Sequence, residues 1–175
     1  MTITYGLAIG VSALVITWGA LAPGSALHAQ APAASSTLQD PCDEPANWIV
    51  AENCKSGNPS IEWDVNGNGD ATILGFATDI SYNVVETARI KTDTDSGYRI
   101  DIYRAGYYNG LGARLVDTVE PAVASPQEQP PCATDWSVRL YDCGTWSESA
   151  AWSIPDDAVS GVYVARLVRE DGAST

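Results

Sequence analysis

Hydrophobic and polar positions alternate in short runs along most of this chain, and the clearest run is Tyr98-Arg-Ile-Asp-Ile-Tyr-Arg104. Tyr98, Ile100 and Ile102 fall on one face of such a strand and Arg99, Asp101 and Tyr103 on the other, the period of a half-buried antiparallel strand. Gly106, Gly110 and Gly112 follow, and Asn109-Gly110 is a strong turn signal ahead of the next apolar run, Arg114 to Val119. The stretch therefore predicts a β-hairpin whose core side carries Ile100 and Ile102. Further strands are predicted near Trp48–Glu52, Ile61–Asp64, Thr78–Tyr82, Thr87–Lys91, Val138–Tyr141, Ala150–Ile154 and Gly161–Arg169. No long window keeps a helical period. Short strands at this spacing imply an all-β fold, an immunoglobulin-like antiparallel β-sandwich.

In Gly161 to Arg169, Tyr163, Ala165 and Leu167 share one face. A further apolar strand is expected after it, but the sequence given stops at Thr175. The expectation is a sandwich lacking its last strand, with an open edge that templates association, in a fragment or truncated reading frame of a longer protein.

The pattern changes near the start. Residues 7–22 are apolar and uncharged, Pro23-Gly24 closes them, and the small-residue stretch Leu27-His-Ala-Gln-Ala31 resembles a signal-peptidase site. No Lys or Arg precedes Lys55, so the positive end is the amino terminus alone. An uncleaved anchor is the rival, although the run falls short of the ~20 residues that span a bilayer. The expected division is a signal peptide at 1–30, a flexible Ala/Pro/Ser-rich leader at 31–44 and a sandwich domain at 45–175. Of the 175 residues 45% are hydrophobic, enough for a core of ordinary size.

Export changes how the cysteines are read. Four of them in a secreted or cell-surface chain imply disulfides. Three pairings are open; locality favours Cys42 with Cys54 and Cys132 with Cys143, each worth about 2–3 kcal/mol by loop entropy. The only histidine, His28, sits in the signal region and no Cys-x-x-Cys occurs, so a zinc site is disfavoured. The charge of −13, from 22 acidic and 9 basic residues, disfavours nucleic acid and polybasic membrane docking as partners.

The hairpin stretch, with Ile49-Val-Ala-Glu-Asn-Cys54, Glu62-Trp-Asp64, Gly75-Phe-Ala-Thr-Asp79, Asp142-Cys-Gly-x-Trp146 and Ser160 to Arg169, resembles the N-terminal sandwich domain of secreted bacterial proteins of the N,N-dimethylformamidase β-subunit-like family. That resemblance implies a C–N amide hydrolase as the parent protein. Its tyrosine- and glutamate-held iron belongs to a catalytic domain beyond this chain, so no iron ligand and no cofactor is carried over to Tyr107 or Tyr108.

Beside the iron reading, three constellations carry candidate chemistry. Asp64, Asn66, Asn68 and Asp70 open like a calcium loop, but Gly75 stands where the bidentate glutamate belongs, which favours a plain turn. Tyr103, Tyr107, Tyr108, Trp136 and Trp146 offer faces for stacking on sugar rings, or else fill the core ends and a domain interface. Asp93, Asp95, Asp101, Asp156 and Asp157 could divide acid and base duties, yet they read as solvated turn residues. No Gly-x-Ser-x-Gly elbow is present. The expectation is a non-catalytic exported module that packs against or positions a downstream domain. Arg104 and Arg114 stand ready at that interface to pair with carboxylates. A carbohydrate-binding or adhesive module, with a glycan as partner, is the alternative; a third is part of an amidohydrolase whose chemistry lies elsewhere.

Overall fold

Residues 40–65, 67–122 and 126–175 are described by the computed structural model of the protein. The expected signal peptide, Asn66 and most of the leader lie outside them. In chain order the elements are α1 (Trp48–Asn53), α2 (Ser60–Trp63), β1 (Ile73–Ala77), β2 (Thr87–Thr94), β3 (Tyr98–Ala105), β4 (Ala113–Val119), β5 (Ala133–Asp135), β6 (Leu140–Asp142), β7 (Ala150–Ser153) and β8 (Tyr163–Arg169), with a 3-10 turn at Tyr108–Gly110.

Two antiparallel sheets, ordered β1-β2-β7 and β4-β3-β8, face each other, and β5-β6 forms a separate two-stranded ribbon. This is the all-β sandwich that the alternation predicts. Ile73, Ala88, Ile90, Ala150 and Trp152 of the first sheet meet Tyr98, Ile100, Ile102 and Leu167 of the second in one buried cluster. Each such aliphatic side chain contributes about 1.5–3 kcal/mol. Trp152 and Tyr163 close the layer, their rings 5.5 Å apart. Gly75 is needed on β1 because a Cβ there would lie 2.6 Å from Leu167 Cδ1 on the opposite sheet.

The predicted alternation of β3 holds, with Ile100 paired to Val119 on one side and Leu167 on the other. Its second face is also covered, for Asp101 and Tyr103 are both buried. Asp101 accepts from Arg99 Nε and Nη2 and from Thr118 Oγ1, which satisfies the buried carboxylate. Beyond β8 the chain turns at Gly172 (φ 92°) and lays Ala173–Thr175 back along it, with Leu167 and Thr175 exchanging both backbone bonds.

Three predicted strands are corrected. Trp48–Glu52 is the helix α1, because Asn47 caps it by accepting from the amides of Ile49 and Val50. Ile61–Asp64 is the helical turn α2, which follows Pro59 and is fixed by Trp63 Nε1 donating to the carbonyls of Asn58 and Leu111. The strand expected at Thr78–Tyr82 instead runs over Ile73–Ala77, where Ile73 and Gly75 face the core and every residue from Ile73 to Ala77 has a partner on β2. The disulfides are Cys42–Cys54 and Cys132–Cys143, the local pairing.

We expect Ile100→Ala, at a fully buried position, to lower the unfolding free energy by about 2–5 kcal/mol. Val164→Ala, half exposed on the outer face of β8, should cost about 1 kcal/mol or less; paired urea titrations decide both.

Candidate functional site at the hairpin turn

The turn that joins β3 to β4 is built around a buried carboxylate. Glu52, only 2% exposed, comes from α1. Its Oε1 accepts from Arg114 Nε at 2.8 Å and from Tyr108 Oη at 3.0 Å, while Lys55 Nζ lies 2.7 Å from Oε2. Tyr108 Oη in turn accepts from Arg104 Nη1 at 2.9 Å. Arg104 also donates to the carbonyls of Val159 (Nε) and Ser160 (Nη2), so the guanidinium ties the β7–β8 connection to the hairpin. One helix glutamate, the lysine just beyond that helix, two strand arginines and one turn tyrosine thus share one network.

The turn's backbone follows from that network. Tyr108 and Asn109 both have positive φ, 41° and 55°, a costly conformation for a tyrosine. Complete burial of the Tyr108 side chain and its two hydrogen bonds hold it there. Gly112 (φ 89°) lets the Trp63 indole approach to 2.6 Å of where a Cβ would stand, and a Cβ on Gly106 would strike Asn53 and the Tyr108 ring. The glycines of the signature are therefore packing requirements as well as turn residues.

Burial alone would push the Glu52 carboxyl up, but hydrogen bonds from Lys55, Arg114 and Tyr108 more than offset it and hold the group below the usual glutamate range. On Arg114, burial works against the charge and the Glu52 contacts overcome it, raising its value. Burial, then the field of Asp101, raises Tyr103.

The residues singled out from the sequence separate into two groups. Tyr103, Arg104, Tyr108 and Trp146 are buried, and Arg114 is turned onto Glu52. Tyr107 and Trp136 are exposed, at 69% and 79%, one on the hairpin turn and the other at the tip of the β5–β6 ribbon. Around the turn, Trp48, Ile49 and Ile61 add further exposed apolar surface. Glu52 itself was missed as a site residue, being read as part of a strand; the Asn47 cap and Cys54 at the other end were the available signals.

In the loop that resembles a calcium site, Asp64 accepts from the Val65 amide, and Asp70 accepts from the amide and hydroxyl of Thr72. Those bonds hold the Asp70 carboxyl low. No group of three or more potential ligands among His, Cys, Asp and Glu is gathered among the described residues. Of the candidate acids, Asp95 pairs with Arg169, Asp101 with Arg99, Asp93 accepts from the Gln129 amide, and Asp156 and Asp157 are exposed turn residues.

Fold and turn together define an antiparallel β-sandwich with an internally anchored hairpin. Residues 99–175, which begin on β3 and include that hairpin, match the family model described as N,N-dimethylformamidase beta subunit-like, C-terminal. The family resemblance read from the sequence is thereby shown over this stretch; its expected N-terminal place in the parent finds no support in a description that says C-terminal. No curated protein and no solved structure matches the chain. Two disulfides are present, and no helix among the described residues is long and apolar enough to cross a membrane.

Replacing Glu52 by Gln should destabilise the domain by about 1.5–3 kcal/mol at neutral pH, since it removes the charge-assisted hydrogen bonds that the buried carboxylate accepts from the part-exposed Arg114 and the exposed Lys55. Because the folded-state value is depressed, the carboxylate's stabilisation is fully present above about pH 4.3 and is lost as pH falls through the folded value. Unfolding curves from pH 7 down to 3 should show the gap between the two proteins constant at first and then closing.

Proposed function

We propose that this chain is a non-catalytic, exported module of an N,N-dimethylformamidase β-subunit-like protein, and that it packs against or positions a neighbouring domain of that protein. One observation carries the reading. The distinctive side chains of the hairpin, Arg104, Tyr108 and Arg114, are spent on holding α1, the turn and the β7–β8 connection together. A group so enclosed supports architecture; it is poorly placed to meet a substrate.

The surface beside this network supports the packing role. Trp48, Ile49, Tyr107 and Ile61 leave large apolar area open around the hairpin turn, and a rigid turn with an apolar rim is suited to a domain interface. Export is supported by the two disulfides, which persist in oxidising compartments, and by the apolar run at residues 7–22. A flat glycan platform has less support, since Trp146 is buried and the exposed Tyr107 and Trp136 sit on separate elements.

The test has two arms. The chain alone, oxidised, should release no dimethylamine from N,N-dimethylformamide; turnover by it would overturn the non-catalytic reading. In the parent polypeptide, Trp48→Asp with Tyr107→Asp should loosen domain packing, seen as a larger radius of gyration in solution scattering. An unchanged radius, with the domain still folded, would move the interface elsewhere.

A further inference from the structure

The β5–β6 ribbon stands apart from both sheets. Two-stranded ribbons are marginal alone, and this one is closed at its base by Cys132–Cys143. Gln129 anchors its approach to Asp93, Thr92 and Ser147, and Trp146 Nε1 donates to the Pro130 carbonyl at 2.9 Å. Trp136, Val138, Leu140 and Tyr141 are nevertheless all exposed. Arg139, in the left-handed region at φ 55°, sits among them. Among the described residues it is the one basic side chain without a hydrogen bond or ion pair; the other eight each make at least one. A braced finger thus presents apolar surface around Arg139, with the carboxylates of Asp135 and Asp142, which accept from Ser137 and the Gly144 amide, on the same ribbon.

A complementary surface lies on the same chain. The loop between β1 and β2 borders a shallow, open depression of about 560 Å³ lined by Asp79, Tyr82, Val85 and Glu86 and by Arg89, whose own charge is paired with Glu148. Ile80 is fully exposed at this loop, and Val84 and Val85 are open too. Asp79 accepts from Thr78 Oγ1 and Glu86 from Asn83, and neither carboxylate has a basic partner among the described residues. Val85 has φ 62°, a rare conformation for a β-branched residue and the kind of strain that gathers at functional loops. Within one copy Arg139 bonds to neither carboxylate.

We propose that the β5–β6 finger of one copy docks into the Asp79–Glu86 cleft of a second copy, with Arg139 facing the carboxylates and Trp136 and Val138 against Ile80 and Val85. The two surfaces differ, so the contact is head-to-tail and builds rings or open chains. Each copy carries −13, so long-range repulsion has to be screened; at about 0.15 M ionic strength the Debye length is about 8 Å while a close ion pair survives. This contact is independent of the parent-domain reading, which rests on the hairpin turn.

Light scattering after size exclusion, on the oxidised chain recovered from an exporting host, tests it at that ionic strength. The mean mass should rise with concentration above the monomer value. Arg139→Glu, Asp79→Lys and Trp136→Ser should each weaken association by about tenfold or more, with melting temperatures unchanged. A 1:1 mixture of Arg139→Glu with Asp79→Lys should associate again, because an intact finger meets an intact cleft. A monomer up to about 1 mM, association indifferent to these substitutions, or a mixture that stays monomeric would each overturn the proposal.

Discussion

A carboxylate sealed from solvent must be surrounded by donors, and the donors that Glu52 collects organise this fold. Lys55 comes from just beyond the helix that carries Glu52, Arg114 from β4, and Tyr108 from the turn between β3 and β4. Through Tyr108 the network reaches Arg104 and so the Val159 and Ser160 carbonyls before β8. Removing any member leaves a buried charge or donor unmet, which is why such networks act as units. The Cys42–Cys54 bridge completes the arrangement by clasping α1 just beyond Glu52.

The sandwich supplies the rigid frame on which this turn is held. Ile100 and Ile102 put the β3 side chains into the common core, so the strand's end, Arg104, is fixed in position and direction. The second face of β3 is closed by the Asp101–Arg99 pair. The strain at Tyr108 and Asn109 is affordable only because both flanking strands are pinned in this way. Burial does the general work, and the polar network selects one turn geometry from those that burial would permit.

The strands with strict alternation were legible in the sequence. β2, β3, β4, β7 and β8 fall close to where period-two patterning puts them, and both disulfides pair locally as expected. The helices were not legible, because Trp48-Ile-Val and Ile61 carry β-forming side chains while the deciding facts are an Asn47 cap and burial of Glu52, a tertiary effect. β5 was passed over since Ala133-Thr-Asp135 has no apolar alternation; its order derives from the Cys132–Cys143 clasp. The hairpin residues stand out in the sequence as a distinctive set, but what they contact was hidden. Glu52 lies 56 and 62 positions from Tyr108 and Arg114, and spacing along a strand carries no information about such a partner.

A double-mutant cycle on Glu52→Gln and Tyr108→Phe, read as unfolding free energy at neutral pH, tests most directly whether these residues form one unit. The account predicts strong non-additivity, a coupling of about 0.5–3 kcal/mol, because either change alone already breaks the chain from Arg114 to Arg104. Additive losses, agreeing within about 0.5 kcal/mol, would mean that the turn is held by packing alone and that the buried network does not organise the hairpin.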